Sequence, residues 1–197
     1  MTKFNRFIKR TFDLVVATIG LLLTGWIIIL SAIIARFDTG LSGFFMQNRI
    51  GMRGKVFKVI KLRSMKMIDG VTTTVSTDHD PRITKMGRFW RKTKIDELPQ
   101  LINVFLGQMS FVGPRPDVPG FADVLTGDDR IILSIRPGIT GPATLFYKNE
   151  EEILARQDDP EAYNREVIWP KKVSLNKQYI KEYNFWKDIG YIIKTVT

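Results

Sequence analysis

The sequence predicts an α+β, mostly helical fold. A small domain sits behind an N-terminal membrane helix-hairpin that enters and leaves the same leaflet, and amphipathic helices lie at the interface. Three observations lead there. Leu14 to Ile34 is almost wholly apolar, carries no charge, and has basic residues on both flanks. Two short runs, Phe44 to Arg49 and Val56 to Leu62, read as extended or amphipathic pieces. Much of the remainder reads as helix, ending in Phe185 to Val196 with its apolar face of Phe185, Trp186, Ile189, Ile192, Ile193 and Val196.

The first segment could cross a bilayer core of roughly 30 Å at about 1.5 Å per residue. A cleaved signal peptide would share its charged start, but no clear A-x-A site follows. Charge separates a straight span from a re-entrant hairpin. Lys3, Arg6, Lys9 and Arg10 precede the segment, and Arg36, Arg49, Arg53, Lys55 and Lys58 follow it. Positive residues prefer the cytoplasmic side, and a hairpin keeps both flanks there. The weak point for a break is Thr24-Gly25, with Gly20 one turn earlier. Residues 1–37 are therefore set apart as the membrane-associated part and 38–197 as one further domain. There is no internal repeat and no obvious linker.

Further along, Met67 to Pro81 is polar and reads as a loop. Its His79 is the one histidine of the chain, and a lone loop histidine is more often solvated than a ligand. Arg82 to Lys94 is a basic run with Met86, Phe89 and Trp90. It is either a solvated helix face or a face pressed on anionic headgroups, with Trp90 at the interface. Phe121 to Leu133 is expected to be helical, ended by Arg136-Pro137-Gly138. Glu150 to Arg156 and Lys172 to Tyr183 are also expected to be helices. Phe185 to Val196 is interrupted by Lys187, Asp188 and Lys194, so it should pack on the domain or the membrane surface rather than span.

The 197 residues carry a net charge of +10, which points to an anionic partner: nucleic acid, a membrane surface or phosphorylated substrates. The chain has no cysteine, which removes thiol nucleophiles, disulfides and thiolate zinc sites. Ser-His-Asp catalysis and histidine metal sites have little support. Gly51-Met52-Arg53-Gly54-Lys55 has the wrong spacing for a P-loop. Asp78-His79-Asp80 is the one stretch resembling the metal motif of an ordinary glycosyltransferase. Aromatic RNA-binding motifs, helix-turn-helix spacing and zinc ligands are not evident.

The chemistry concentrates in two runs. Lys94-Ile95-Asp96-Glu97-Leu98-Pro99-Gln100 sets adjacent carboxylates at the mouth of a helix, because Pro99 fits only a first turn. That helix should start near Ile95 to Leu98 and continue through Leu101, Ile102 and Phe105. An ionised carboxylate at its positive end can attack phosphorus or hold a metal. A simple cap is the bland alternative. The second run is Phe111-Val112-Gly113-Pro114-Arg115-Pro116. An arginine between two prolines has little backbone freedom and is pre-organised for bidentate phosphate binding.

Together these runs resemble the signature of the bacterial sugar transferase family, the monotopic phosphoglycosyl transferases. The resemblance extends to Gln47-Asn48-Arg49-Ile50-Gly51, Phe57 to Met65, Arg82-Ile83-Thr84, Gly87 to Arg91, and Arg136 to Gly141. It implies a cytosolic catalytic domain that moves a sugar-1-phosphate from a UDP-sugar, with a lean toward an N-acetylated amino sugar, to polyprenol (undecaprenyl) phosphate with release of UMP. It also implies Mg²⁺ and a covalent phosphoglycosyl-aspartate. Asp96 matches the nucleophile, and Glu97 matches the partner that positions metal and phosphate, so these two are the expected metal ligands. Lys61, Arg91 and Arg115 match basic positions near the site, Arg88 is a further candidate, and Arg136 is either a phosphate contact or a helix-ending residue. The implied place is the cytoplasmic face of a bacterial inner membrane, at the first membrane step of a capsule, O-antigen, exopolysaccharide or glycoprotein pathway. The implied partners are the UDP-sugar, the polyprenol phosphate and the bilayer, with a homodimer as a further option and no nucleic acid. Two departures stand out: relatives commonly break the membrane helix at Ser-Pro, and many carry Leu-Asp-x-x-Tyr where this chain has Leu175-Asn176-Lys177-Gln178-Tyr179. Asn cannot supply the charge of Asp, so Asn176 is given no metal or acid–base role.

Overall fold

The apolar run of the N-terminal third lies within one helix, α1 (Lys3–Thr39), in a computed structural model that describes residues 1–68 and 80–197. The expected loop over Met67 to Pro81, with His79 and the Asp78-His79-Asp80 stretch, falls mostly outside the described residues. Thr2 caps α1 by accepting from Asn5 N–H, and Gly40 ends it in the left-handed region. The expected break at Thr24-Gly25 does not form. Thr24 Oγ1 donates back to the Gly20 carbonyl at 2.7 Å, so the polar group meant to satisfy a freed carbonyl is used inside an intact helix. Over 37 residues α1 is long and apolar enough to cross a membrane. It is not detached from the domain, however. Its buried residues run from Lys9, Asp13 and Ala17 to Ile28, Ser31, Ala32, Ala35 and Thr39, one face along its length. Leu22, Leu23, Trp26, Ile29 and Phe37 are exposed.

The two runs read from the sequence as short extended or amphipathic pieces are strands, and they pair as a hairpin. Strands β1 (Phe44–Ile50) and β2 (Val56–Leu62) pair antiparallel, from Phe44 opposite Leu62 to Ile50 opposite Val56. The basic run forms α2 (Lys85–Thr93), capped by Thr84 and closed by Lys94 in the left-handed region. Ile95–Glu97 is a single tight turn, and Pro99 leads into the short α3 (Gln100–Phe105). The expected helix is thus split, with the two carboxylates in the turn. β3 (Ser110–Val112) and β4 (Gly138–Thr140) pair parallel. Between them, 121–133 is not the expected α-helix. Two tight-turn pieces, Ala122–Val124 and Gly127–Ser134, take its place, because Thr126 is extended and Gly127 has a φ of 55°.

The rest is helical: α4 (Pro142–Phe146), α5 (Glu150–Ala155), α6 (Pro160–Tyr163), α7 (Trp169–Lys181) and α8 (Phe185–Val196). α8 packs on the domain as expected, with Trp186 and Ile193 exposed. Two apolar clusters hold these parts. The larger joins Ile50, Val112, Ile132, Ile135, Val173 and Ile180. The smaller joins Ala17 of α1 to Phe57 and Val59 of β2, to Val104 of α3 and to Met109. Burying Val104 and Met109 there contributes roughly 2 kcal/mol each, so α3, which follows the turn, rests partly on the N-terminal helix.

Candidate active site

The carboxylate turn is registered against β2 by one buried amide. Asn103 accepts from Ile60 N–H at 3.0 Å and donates to Lys58 C=O at 2.8 Å and to Gln108 Oε1 at 2.7 Å. It clamps the strand on either side of Val59 and so sets Lys61, one residue on from Ile60. Lys61 Nζ lies 2.8 Å from Glu97 Oε1. Arg115 Nη2 reaches the same oxygen at 3.4 Å from the Pro114–Pro116 loop. That loop is tied at both sides. Gly138 N–H donates to Pro114 C=O at 2.8 Å, Arg49 Nη1 to Pro116 C=O at 3.3 Å, and Ile50 N–H to Asp117 C=O at 2.9 Å.

The two adjacent carboxylates are shifted in opposite directions. Burial acts to raise Glu97, but Arg115 and then Lys61 hold it well below the usual carboxylate range. Burial raises Asp96 above its ordinary value, with Lys61 opposing and the Glu97 charge adding to the rise. Asp96 is only 8 % exposed, and its buried Oδ1 has no hydrogen-bond partner. An orphaned carboxylate oxygen beside a second carboxylate fits a hard cation that takes one or two protein oxygens and completes its shell with phosphate and water. Asp96 and Glu97 are therefore the residues able to hold Mg²⁺, although no cluster of three metal-binding side chains occurs among the described residues.

The structure gathers Lys61, Glu97, Asp96 and Arg115 as expected, and Arg91 lies near enough to Asp96 to act on its charge. Arg88 is exposed on α2 and touches neither carboxylate. Arg136 stands apart: its Nε donates to Gly107 C=O at 2.7 Å, bracing the turn after α3, while its own segment supports the Arg115 loop through Gly138. Asn176 is buried with an unpartnered Oδ1.

Several residues around Arg115 were given no role by sequence reasoning. Asp117 is pushed up to about 6 by burial, against the opposing charges of Lys172, Arg49 and Arg115. Lys172 pairs with Glu150 at 2.7 Å, and its ammonium lies 6.0 Å from the Tyr147 ring centre. Asn103 left a legible trace, since an amide stands there within an apolar stripe. Lys172 and Glu150 left none, because only the tertiary fold brings α5 and α7 to this loop. The result is a group of cations, Lys61 and Arg115 on Glu97 and Lys172 on Glu150, beside a carboxylate with one unpartnered oxygen. It suits a substrate with several negative charges.

Comparisons with known proteins converge on one family. Residues 4–197 match the family model described as bacterial sugar transferase. A UDP-glucose:undecaprenyl-phosphate glucose-1-phosphate transferase of Escherichia coli (strain K12) is 36% identical over 198 residues, covering 98% of this chain and 40% of that protein. An undecaprenyl-phosphate galactose phosphotransferase of Salmonella typhimurium is 32% identical, covering 97% of this chain and 40% of that protein. An uncharacterized sugar transferase, EpsL, of Bacillus subtilis (strain 168) is 34% identical, covering 96% of this chain and 85% of that protein. The chain thus spans 40% of the length of the first two relatives and most of the third.

Proposed function

The chain belongs to the bacterial sugar transferase family, and on that premise we propose that it transfers a sugar-1-phosphate from a UDP-sugar to polyprenol phosphate, releasing UMP. The observation that carries this reading is the pair of adjacent carboxylates, one closed by Lys61 and Arg115 and one with a buried, unpartnered oxygen.

The chemistry runs in two displacements at one phosphorus. Asp96 attacks the sugar-bearing phosphorus, a new bond forms to the carboxylate oxygen, and the bond to the bridging oxygen breaks as UMP leaves. The acceptor's phosphate oxygen then attacks the same phosphorus, and the bond to Asp96 breaks to restore the carboxylate. Arg115 and Lys61 supply fixed positive charge where the phosphate charge develops. Glu97 holds those two cations in place. When bound by Asp96 and Glu97, Mg²⁺ would neutralise part of the diphosphate charge.

Within this reading α1, as one unbroken helix, lies along one leaflet of the bacterial inner membrane and anchors the protein there with both flanks on the cytoplasmic side. Support comes from the two basic flanks and from the buried face of α1, which meets the domain near both of its ends. Single cysteines at Thr2 and Gly40 should both resist an impermeant thiol reagent in intact cells. Labelling of Thr2 alone would mean a straight span. The sugar is set by a donor panel. The N-acetylated amino sugars expected from the resemblance stand there beside the glucose and galactose in the relatives' names. The deciding assay is UMP release from UDP-sugars with polyprenol phosphate in detergent. UDP release would indicate an ordinary glycosyltransferase, and no nucleotide release from any donor would indicate a protein that only binds.

A further inference from the structure

The outer face of α2 carries three cations around one phenyl ring. Lys85, Arg88, Phe89 and Lys92 are all exposed, and their spacing of three and four residues puts them on one side of the helix. Among the described residues no carboxylate pairs with Lys85, Arg88 or Lys92. The opposite side fixes the helix against rolling. Trp90 is 2 % exposed, so the aromatic expected at the interface is in the core and Phe89, 52 % exposed, is the outward one. Gly87 lies so close to the end of β2 that an added Cβ would overlap the Ser64 carbonyl. A second observation extends the same surface. The bridge between Met65 and Ile83, with Lys66 N–H donating to Arg82 C=O at 2.8 Å, brings Met67 and Ile68 beside the start of α2, and both are exposed.

A solvated face does not need an exposed phenyl ring with aliphatic neighbours, and a nucleic-acid face does not favour exposed Met and Ile. Apolar groups ringed by cations are the make-up of elements lying in the plane of a membrane with anionic lipids. We propose that this face of α2 binds the headgroups of anionic phospholipids, with Phe89 set into the boundary between headgroups and acyl chains. The inference rests on the reading of α1 as a membrane anchor and adds a second, charge-selective contact. Lys94 carries the chain directly from α2 into the Ile95–Glu97 turn, so this contact would hold the carboxylate turn beside the membrane surface.

The absence of cysteine makes the test clean. Phe89→Cys in the full chain takes a single environment-sensitive fluorophore, and the protein is placed in nanodiscs of phosphatidylcholine with or without phosphatidylglycerol. A separate Leu22→Cys variant reports α1. In discs with phosphatidylglycerol the probe at 89 should emit further to the blue and be quenched by spin-labelled lipid. Both effects should be lost at high salt or when Lys85, Arg88 and Lys92 are all replaced by Gln. Solvent-like emission at 89 with a lipid-like signal at 22 overturns the proposal and leaves the anchor standing. Solvent-like emission at both sites overturns the anchor and the proposal with it. Equal insertion at 89 in both lipids, unchanged by the Gln replacements, also overturns it, since contact would then be apolar and not charge-selective. UMP release in detergent reports the proposed reaction independently of each outcome.

Discussion

Two regions of this molecule that bury carboxylates finish them in opposite ways. Where α1 joins the domain, Asp188 accepts from Lys9 at 2.5 Å and from the Tyr179 hydroxyl at 2.6 Å. Asp13 accepts from Ser110 Oγ and Phe111 N–H, both at 3.1 Å. At the carboxylate turn Glu97 is closed in the same manner, but Asp96 keeps a buried oxygen with no partner. A closed network fixes the relative position of its elements. An open carboxylate costs folding free energy and stays available for chemistry. The first region holds α1, α8 and β3 together, and β3 runs on into the Arg115 loop. The second is where a reaction can occur.

The contrast breaks most visibly at Asp96. Asp96→Asn should lower turnover at least about a thousandfold, because an amide is no nucleophile toward phosphorus. Its unfolding midpoint should equal or exceed that of the parent, since a neutral amide is easier to bury than a carboxylate whose titration is already raised. Residual activity above a few per cent would place the nucleophile elsewhere.

Asp188 should behave in the reverse sense. Asp188→Ala leaves Lys9 buried without its partner and should cost about 3 kcal/mol in denaturant unfolding. A loss below about 1 kcal/mol would mean that the joint is not closed as described.

Arg115→Lys sharpens the comparison inside the site. It keeps the charge that holds Glu97 down but loses the planar fork, so kcat/KM should fall about ten- to a hundredfold while Glu97 remains ionised. Parent-like activity would make Arg115 a partner of Glu97 and no more.

The smallest effect concerns pH. Asp117 is raised to about 6 from an ordinary 3.8, so the folded protein binds its proton more tightly than the unfolded chain. That stabilisation is complete below the ordinary value and is lost as pH rises through about 6. Asp117→Asn should therefore gain stability relative to the parent as pH rises from about 4 to about 7, by on the order of 1–2 kcal/mol in paired denaturant curves. A gap that does not widen with pH would show that Asp117 is not titrating there.

Local pattern made much of this legible. The two runs read as extended or amphipathic pieces are the strands β1 and β2, and Pro99 marks the start of α3 just after the carboxylates. The pre-organised arginine follows from its two flanking prolines. Where reading failed, a local feature had an alternative use that spacing does not reveal. Thr24 bonds inside α1 instead of at a break. Gly127 interrupts a segment whose apolar residues suggest a helix. Phe89 and Trp90 are adjacent, and only the docking of α2 against Ser64, just after β2, decides which faces outward. Glu150 and Lys172 come to the loop of Arg115 and Asp117 through tertiary packing, and no short window of sequence contains them together.

The most direct measurement of the central claim is mass spectrometry of the purified protein quenched after exposure to donor alone. If Asp96 is the open carboxylate that reacts, the peptide containing it gains the mass of a sugar phosphate. The adduct disappears on addition of polyprenol phosphate and never forms in Asp96→Asn. Unmodified Asp96 under conditions where UMP is released, or an adduct on another residue, would contradict the account.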